Sequence, residues 1–270
     1  MKKPVILFIG AGRMAEAMIA GLTAKKSGEI SKIIVSNQSN ILRLDRLKRQ
    51  YEAETALNWQ EKVQEADVIV LAVPPEEHKD VLPKLKNLIS DQLTVTIAAG
   101  IGPSKLEKAL SGTAAAWIMP NTAAQVGQSI SLYCTGGTPL SVLQRHSLEL
   151  LLDAIGDSEE CTEEEIGMLT AITGSAPAFI YLFAEVLIEK AVEYGISESK
   201  AELLVSSMVS GSSAMLKNTG NPASLREQVT TPGGSTAEGL ELLQERGFVS
   251  MIKDAVTTVN KKSGTEKQAD

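Results

Sequence analysis

Five apolar residues, Val5-Ile-Leu-Phe-Ile9, run straight into Gly10-Ala-Gly-Arg-Met-Ala15, and a small-residue helix follows from Ala17 to Gly21. No other segment restricts the fold as strongly. A continuous apolar run bounded by glycine reads as a strand buried on both faces. Gly10 permits a tight turn, Gly12 lets the backbone approach a pyrophosphate, and Ala15 lets the helix pack on the strand. The helix start offers free N–H groups and a partial positive charge to phosphates. Glycines also make ordinary strand-to-helix turns. The position of this motif in the first strand–turn–helix unit is the context in which it binds a dinucleotide.

The pattern then alternates. Ile33–Val35, Val68–Val73, Leu93–Ala98, Ala114–Met119 and Ser129–Cys134 read as further strands, separated by amphipathic stretches such as Leu42–Tyr51 and His78–Ile89. Alternation of this kind implies a doubly wound parallel sheet, an α/β fold of the Rossmann type. Its ligands gather at the carboxyl ends of the strands. Those ends read Gly10-Ala-Gly12, Ser36-Asn37, Ala72-Val-Pro74, Ala98-Ala-Gly100 and Pro120-Asn-Thr122, all small or polar.

After about Gly156 the strand signals stop and an all-helical region begins. The sequence therefore divides into a nucleotide-binding domain, residues 1–158, and a helical domain, residues 159–270. Thr162-Glu-Glu-Glu165 has the form of a capping box. A long helical pattern runs on to Gly195, interrupted at Pro177. A second helix, Ser197–Lys217, contains Ser206-Ser-Met-Val-Ser-Gly-Ser-Ser-Ala214, nearly all small residues. That stretch reads equally as a buried helix or as one threaded through a subunit interface. Two more helices are expected, Thr236–Arg246 and Phe248 to about Lys261, and the polar tail Lys262–Asp270 is expected to fray.

The net charge of −7 and the lack of a basic block argue against nucleic acid as a partner. The apolar run after Met1-Lys-Lys is too short for a signal peptide. No segment is read as approaching the ~20 apolar residues of a membrane helix. Cys134 and Cys161 form no metal or disulfide pattern, which suggests a reducing cytoplasm.

Acid–base groups are scarce. His78 and His146, the two histidines, lie on charged helices and read as solvated surface. No paired carboxylates and no nucleophile motif are visible. A dehydrogenase acting on an alcohol needs a base for the hydroxyl proton. An iminium carbon is already electrophilic and needs only a hydride, so the missing base points to C=N reduction. The loop Val229-Thr-Thr-Pro-Gly-Gly-Ser-Thr-Ala-Glu238 ends in a second capping box, Ser235 to Glu238, and offers a helix start as a seat for a carboxylate. Thr173-Gly-Ser-Ala-Pro-Ala178 is irregular because Pro177 removes a backbone donor. The freed Thr173 carbonyl or the Ser175 hydroxyl could face a ligand, or the proline could simply kink the helix.

With these residues in view, the chain resembles the pyrroline-5-carboxylate reductase family over nearly its whole length. The resemblance rests on Ile9-Gly-Ala-Gly-Arg-Met-Ala-Glu-Ala17, Val35-Ser-Asn37, Leu71-Ala-Val-Pro-Pro75, Ile97-Ala-Ala-Gly100, Met119-Pro-Asn-Thr122, Thr173–Ala178 and Val229–Thr236. It implies reduction of 1-pyrroline-5-carboxylate, a cyclic imino acid, to L-proline with NADPH or NADH. It also implies helical second domains that interlock as dimers, often as rings of dimers. Gly10, Ala11, Gly12, Arg13 and Met14 would bind the pyrophosphate, with Ser36, Asn37, Gln38 and Asn58 at the adenosine side. Ala72, Val73, Pro74, Ala98, Ala99, Gly100, Met119, Pro120 and Asn121 would line the nicotinamide half. Ser175, Ala176, Pro177, Gly233, Gly234, Ser235 and Thr236 would form the substrate pocket, with the Thr236 hydroxyl on the imine nitrogen.

Many relatives have Arg at Trp117, Lys at Pro74, Arg at Gln38, Pro at Ala123 and Gly at Ala176, so this cofactor half is less basic than usual. The departures at Pro74 and Trp117 suggest a regulatory NADP-binding paralogue as an alternative. A β-hydroxyacid dehydrogenase-like oxidoreductase shares the broad architecture but is disfavoured, because such enzymes use a helix lysine and none lies near Gly174 or Ser175. Ser36-Asn-Gln-Ser39 carries no carboxylate to repel a 2′-phosphate, which predicts NADPH use at least equal to NADH.

Overall fold

The Val5–Ile9 run forms β1 and is apolar on both sides for a reason. Ile6 and Phe8 enter one core cluster, Leu7 and Ile9 the other. Alternating side chains of one strand point to opposite faces, so a strand covered on both faces must be apolar throughout. The structure, a computed structural model, describes residues 2–263.

Seven more strands join β1: β2 (Lys32–Ser36), β3 (Glu54–Ala56), β4 (Val68–Leu71), β5 (Leu93–Thr96), β6 (Ala115–Met119), β7 (Ser129–Thr135) and β8 (Gly156–Glu160). They form one sheet in the order β3-β2-β1-β4-β5-β6-β7-β8. All pairs are parallel except β6–β7, which is antiparallel. Helices α1 (Arg13–Lys26), α2 (Ile41–Tyr51) and α5 (Val142–Ile155) supply apolar residues to the cluster on one face. Helices α3 (His78–Lys86) and α4 (Pro103–Ala109), with a 3-10 segment Trp59–Glu65, serve the other. The sheet is doubly wound, as the alternation predicts.

Three sequence readings need correction here. The sheet is mixed rather than wholly parallel. Strands do not stop at Gly156, because Gly156-Asp-Ser-Glu-Glu160 pairs as β8 with β7. This polar edge strand has no apolar alternation to betray it. It can start directly at the end of α5 because Gly156 takes φ +144, where an added Cβ would lie 2.2 Å from the Ser129 carbonyl oxygen. β3 is likewise a short edge strand without an apolar pattern.

Contacts divide the chain at Gly174–Ser175 rather than at residue 158. The first unit takes residues up to Gly174 and again from Asn260, the second Ser175–Val259. Helix α6 (Glu163–Thr170), opened by the Thr162–Glu165 capping box, belongs to the first. Its Ile166 is buried in a cluster with Trp117, Leu132 and Cys134. Trp117 is thus a core residue, and burial pushes the Cys134 thiol up to about 12, which suits an inert core group. Both cysteines are free.

The second unit holds α7 (Ala176–Glu193), α8 (Glu198–Thr219), α9 (Pro222–Gln228) and α10 (Ser235–Glu245), and α11 (Phe248–Ser263) begins in it. Helix α9, with Pro222 in its first turn and Asn221 capping the Ser224 N–H, is absent from the sequence reading. Helices α7, α9 and α10 bury no residue, and α8 buries only Ala201 and Val205. Ile180, Leu182, Phe183, Val186, Leu203 and Leu204 are exposed in the single chain. The small-residue stretch Ser206–Ala214 is therefore not buried within its own chain.

The run Glu163–Glu193 is also long and apolar enough to cross a membrane by length and composition, which corrects the expectation that no segment is. Small polar residues such as Thr173 and Ser175 break the apolar run by eye without making it polar on average. The tail beyond residue 263 lies outside the described residues; α11 extends past the expected end at Lys261 to Ser263.

Candidate active site

The glycine turn behaves as its spacing requires. Gly10 sits at φ +109, and a Cβ there would lie 2.3 Å from the Ala72 carbonyl oxygen. Its N–H donates to the Ser36 carbonyl at 2.9 Å, and the Ala72 N–H donates to the Ile9 carbonyl at 2.8 Å. The ends of β1, β2 and β4 are thereby drawn together where the sheet order reverses around β1, the place where such folds bind ligands. Gly12 differs. It is extended, it opens α1 with no side-chain cap, and a Cβ on it would meet nothing within 4 Å. Ala15 is 1% exposed, as helix–strand packing demands.

Arg43, in the first turn of α2, was not singled out in the sequence. Its Nε donates to the Ala11 carbonyl at 2.8 Å and its Nη2 to the Gly12 carbonyl at 3.2 Å. It also pairs with Glu16 at 2.7 Å, and Arg46 grips both oxygens of the same carboxylate. The turn is braced from α2. Nothing local marks this role, because the partners are about thirty residues away in sequence.

Beside the turn, a cleft of about 390 Å³ is lined by Ile9, Gly10, the Ser36–Ser39 loop, Trp59, Glu77 and residues of α3 that include Asp80 and Lys84. The Ser36 hydroxyl is buried and has no hydrogen-bond partner. Asn37 accepts the N–H groups of Ser39 and Asn40 at 3.1 and 2.7 Å on its Oδ1, which shapes the loop. Gln38 is exposed at the cleft. Asn58, assigned by resemblance to the same side, is not among the lining residues. Its amide caps the 3-10 segment through Gln60 N–H at 3.2 Å and donates to Glu61 at 2.9 Å. The open space at Gly12, the uncapped helix start and the orphaned Ser36 hydroxyl together fit a dinucleotide, its phosphates over the helix and a ribose oxygen on the serine.

Farther along the same edge, the segments after β4, β5 and β6 carry Ala72-Val-Pro74, Ala98-Ala-Gly100 and Met119-Pro-Asn121. Asn121 is a connector: Oδ1 accepts the Ala123 N–H at 2.9 Å, and Nδ2 donates to the Thr173 carbonyl at 3.1 Å. The Thr173 carbonyl is therefore engaged by Asn121 on one of its two lone pairs. The sequence also misplaces His78. It is 2% exposed, not solvated, with both ring nitrogens in contact with polar atoms. Burial holds its pKa below the ordinary histidine value. His146 is partly exposed, 3.9 Å from Glu29.

The residues assigned to substrate lie in the second unit. Ala171–Ser175 form a π-helical turn and Pro177 stands in the first turn of α7, so the proline does disturb the turn before it. The Ser175 side chain makes no cap hydrogen bond. Gly233 takes φ +70, and Gly234, not Ser235, is the N-cap of α10. The expected capping box at Ser235–Glu238 is absent, because Ser235 is already helical and no side chain caps this end. Ser235 and Thr236 are exposed, and their hydroxyls make no hydrogen bond among the described residues. No hydrogen bond joins Ser175–Pro177 to Gly233–Thr236. The cofactor residues and the substrate residues thus stand on different units of the chain.

Two family models match the sequence. One, for pyrroline-5-carboxylate reductase dimerisation, covers residues 163–266; the other, for NADP oxidoreductase coenzyme F420-dependent, covers residues 5–100. Pyrroline-5-carboxylate reductase 2 of Bacillus subtilis (strain 168) is 32% identical over 270 residues, which span 99% of this chain and 96% of the relative. The pyrroline-5-carboxylate reductase of Pisum sativum is 35% identical over 260 residues, 95% of this chain and 93% of the relative. Among solved structures, a pyrroline-5-carboxylate reductase from Coxiella burnetii superposes with a TM-score of 0.86 at 30% identity, covering 99% of this chain and 100% of its own. Pyrroline carboxylate reductase from Plasmodium falciparum with NADP bound gives 0.85 at 29%, covering 97% and 98%. The glycine turn, the strand-end segments and the full-length match agree, and the chain belongs to the pyrroline-5-carboxylate reductase family.

Proposed function

We propose that this chain reduces 1-pyrroline-5-carboxylate to L-proline, using NADPH at least as well as NADH. The observation that carries the reading is the full-length family match together with a glycine turn open at Gly12. Bound nicotinamide cofactor supplies the hydride. The chain itself binds and orients. Residues Gly10 to Met14 take the pyrophosphate, Ser36, Asn37 and Gln38 the adenosine ribose, and the strand-end segments to Asn121 the nicotinamide. The N–H groups of Ser235 and Thr236 take the substrate carboxylate, and the Thr236 hydroxyl oxygen accepts the N–H of the protonated ring nitrogen. As the C=N bond is reduced, the nitrogen keeps its proton and the carbon gains the hydride, so no side-chain base is required. This accounts for a site without a free histidine or paired carboxylates.

The test is an assay with pyrroline-5-carboxylate and each cofactor. Proline is the expected product, with kcat/KM for NADPH equal to or above that for NADH. The basis is the absence of a carboxylate from Ser36-Asn-Gln-Ser39, where NAD-selective folds hold the ribose. A clear preference for NADH overturns the cofactor reading. Tight cofactor binding without turnover favours a regulatory protein instead.

The reading includes self-association through the second unit, as a dimer or a ring of dimers. Helices that bury almost nothing in their own chain cannot be stable alone in water. A second copy covering α7 and α8 supplies the missing partner, and also covers the membrane-length run. Sedimentation at micromolar concentration is expected to show a dimer or larger. Ser210→Trp, in the small-residue stretch, is expected to weaken assembly, since overpacking a close contact costs ~1–3 kcal/mol. A monomeric wild-type chain overturns the reading.

A further inference from the structure

His78 stands at the start of α3, four residues after Pro74, and its ring is buried between two strand ends. Nδ1 lies 3.1 Å from the Pro74 carbonyl oxygen and Nε2 lies 3.1 Å from Thr96 Oγ1. Thr96 Oγ1 in turn accepts the Ala98 N–H at 3.2 Å. A carbonyl oxygen can only accept, so Nδ1 carries the ring proton. Nε2 is then the acceptor for the Thr96 hydroxyl proton. Each donor and acceptor of this path is used once, and the path closes a bridge from the segment after β4 to the segment after β5.

We propose that His78 is a positioning residue for the nicotinamide half of the cofactor, setting the spacing of Pro74 and Ala98 through the bridge Pro74–His78–Thr96–Ala98. This rests on the assignment of those two segments to the nicotinamide. His78 touches no reacting atom. It fixes the walls of the slot. With a neutral ring the Thr96 hydroxyl donates to Nε2. Protonation puts a second N–H on Nε2, facing the Thr96 hydroxyl, which must then turn its own proton away. Glu77, the preceding residue, is the charged neighbour that favours protonation, and desolvation outweighs it. A lowered pKa means this polarity of the bridge holds above the folded-state value, and as pH falls through it the Nε2–Thr96 hydrogen bond reverses and the buried ring becomes charged.

The test uses the full chain and two readouts, NADPH affinity by fluorescence titration across pH and the imidazole ¹⁵N spectrum. The wild-type ring is expected to show the Nδ1–H tautomer, and wild-type affinity to stay level at neutral pH and fall below the ordinary histidine pKa. His78→Phe keeps the ring volume and deletes both hydrogen bonds. It should bind NADPH about tenfold more weakly at neutral pH, with that acid-side fall gone, the loss of one or two neutral hydrogen bonds. Thr96→Val should reproduce the loss, and the double variant should lose no more than either alone. Wild-type affinity and pH profile in both variants, or an Nε2–H tautomer, would overturn the bridge. Should His78→Phe not fold, Thr96→Val and the wild-type spectrum decide. Normal NADPH binding without turnover on pyrroline-5-carboxylate overturns the proposed reaction, a failure distinct from that of the bridge.

Discussion

Gly12→Val is expected to fold and assemble as the wild-type chain does, yet to bind NADPH at least about tenfold more weakly. Gly12 is in extended backbone at φ −70 and ψ 179, a region open to any residue. A Cβ there meets no protein atom within 4 Å, so nothing in the chain resists the side chain. In the proposed binding mode the volume it fills is the one the pyrophosphate enters to reach the N–H groups at the start of α1. Gly10→Ala is the contrasting control. At φ +109, with its Cβ 2.3 Å from a backbone oxygen, it should lower thermal stability as well as binding. Wild-type NADPH affinity in a folded Gly12→Val chain would remove the pyrophosphate from this turn.

Thr236→Ala is expected to leave folding and NADPH affinity unchanged and to lower kcat/KM for pyrroline-5-carboxylate by roughly tenfold or more. Its hydroxyl is exposed and makes no hydrogen bond within the described residues, so its removal costs the fold nothing. In the proposed role its oxygen accepts the iminium N–H while α10, uncapped at Gly234, offers its first N–H groups to the carboxylate. A hydrogen bond to a charged group is worth ~1.5–3 kcal/mol, and its loss should appear mainly in kcat if the bond is strongest in the transition state. An unactivated hydroxyl does not ionise near neutral pH, so the role is orientation and hydrogen bonding. Steady-state kinetics matching wild type would place the nitrogen elsewhere, with Ser175 the next residue to change.

The roles of Gly10 and Ala15 were legible because the constraint on each comes from the two elements the turn joins. The apolar strands β1 and β4 were legible for the same kind of reason: burial on both faces favours an apolar residue at every position, and composition records that directly. Edge strands carry no such record. β3 and β8 are held by backbone hydrogen bonds to one neighbour, and Gly156-Asp-Ser-Glu-Glu160 looks like a loop until β7 is beside it. The direction of β7 also depends on its neighbour β6, not on its own residues.

Side-chain fates divide along the same line. Pro177 announced an irregular turn because a missing N–H acts on the four residues before it, wherever the helix lies. His78 could not announce its burial. The charged residues around it, Glu76, Glu77, Lys79 and Asp80, describe a solvated helix start, and only β5 running alongside turns one side of that start into core. Arg43 and Asn121 are similar, since each acts on carbonyl groups far away in sequence. By itself the sequence determined the glycine turn and the double winding of the sheet, because these depend on local backbone freedom and on how many faces of an element are buried, and its motifs pointed to the family. Tertiary structure decided which polar groups are engaged, where the two units divide and which helices lack a partner, because a hydrogen bond or a buried face exists only once the distant segment that completes it has arrived.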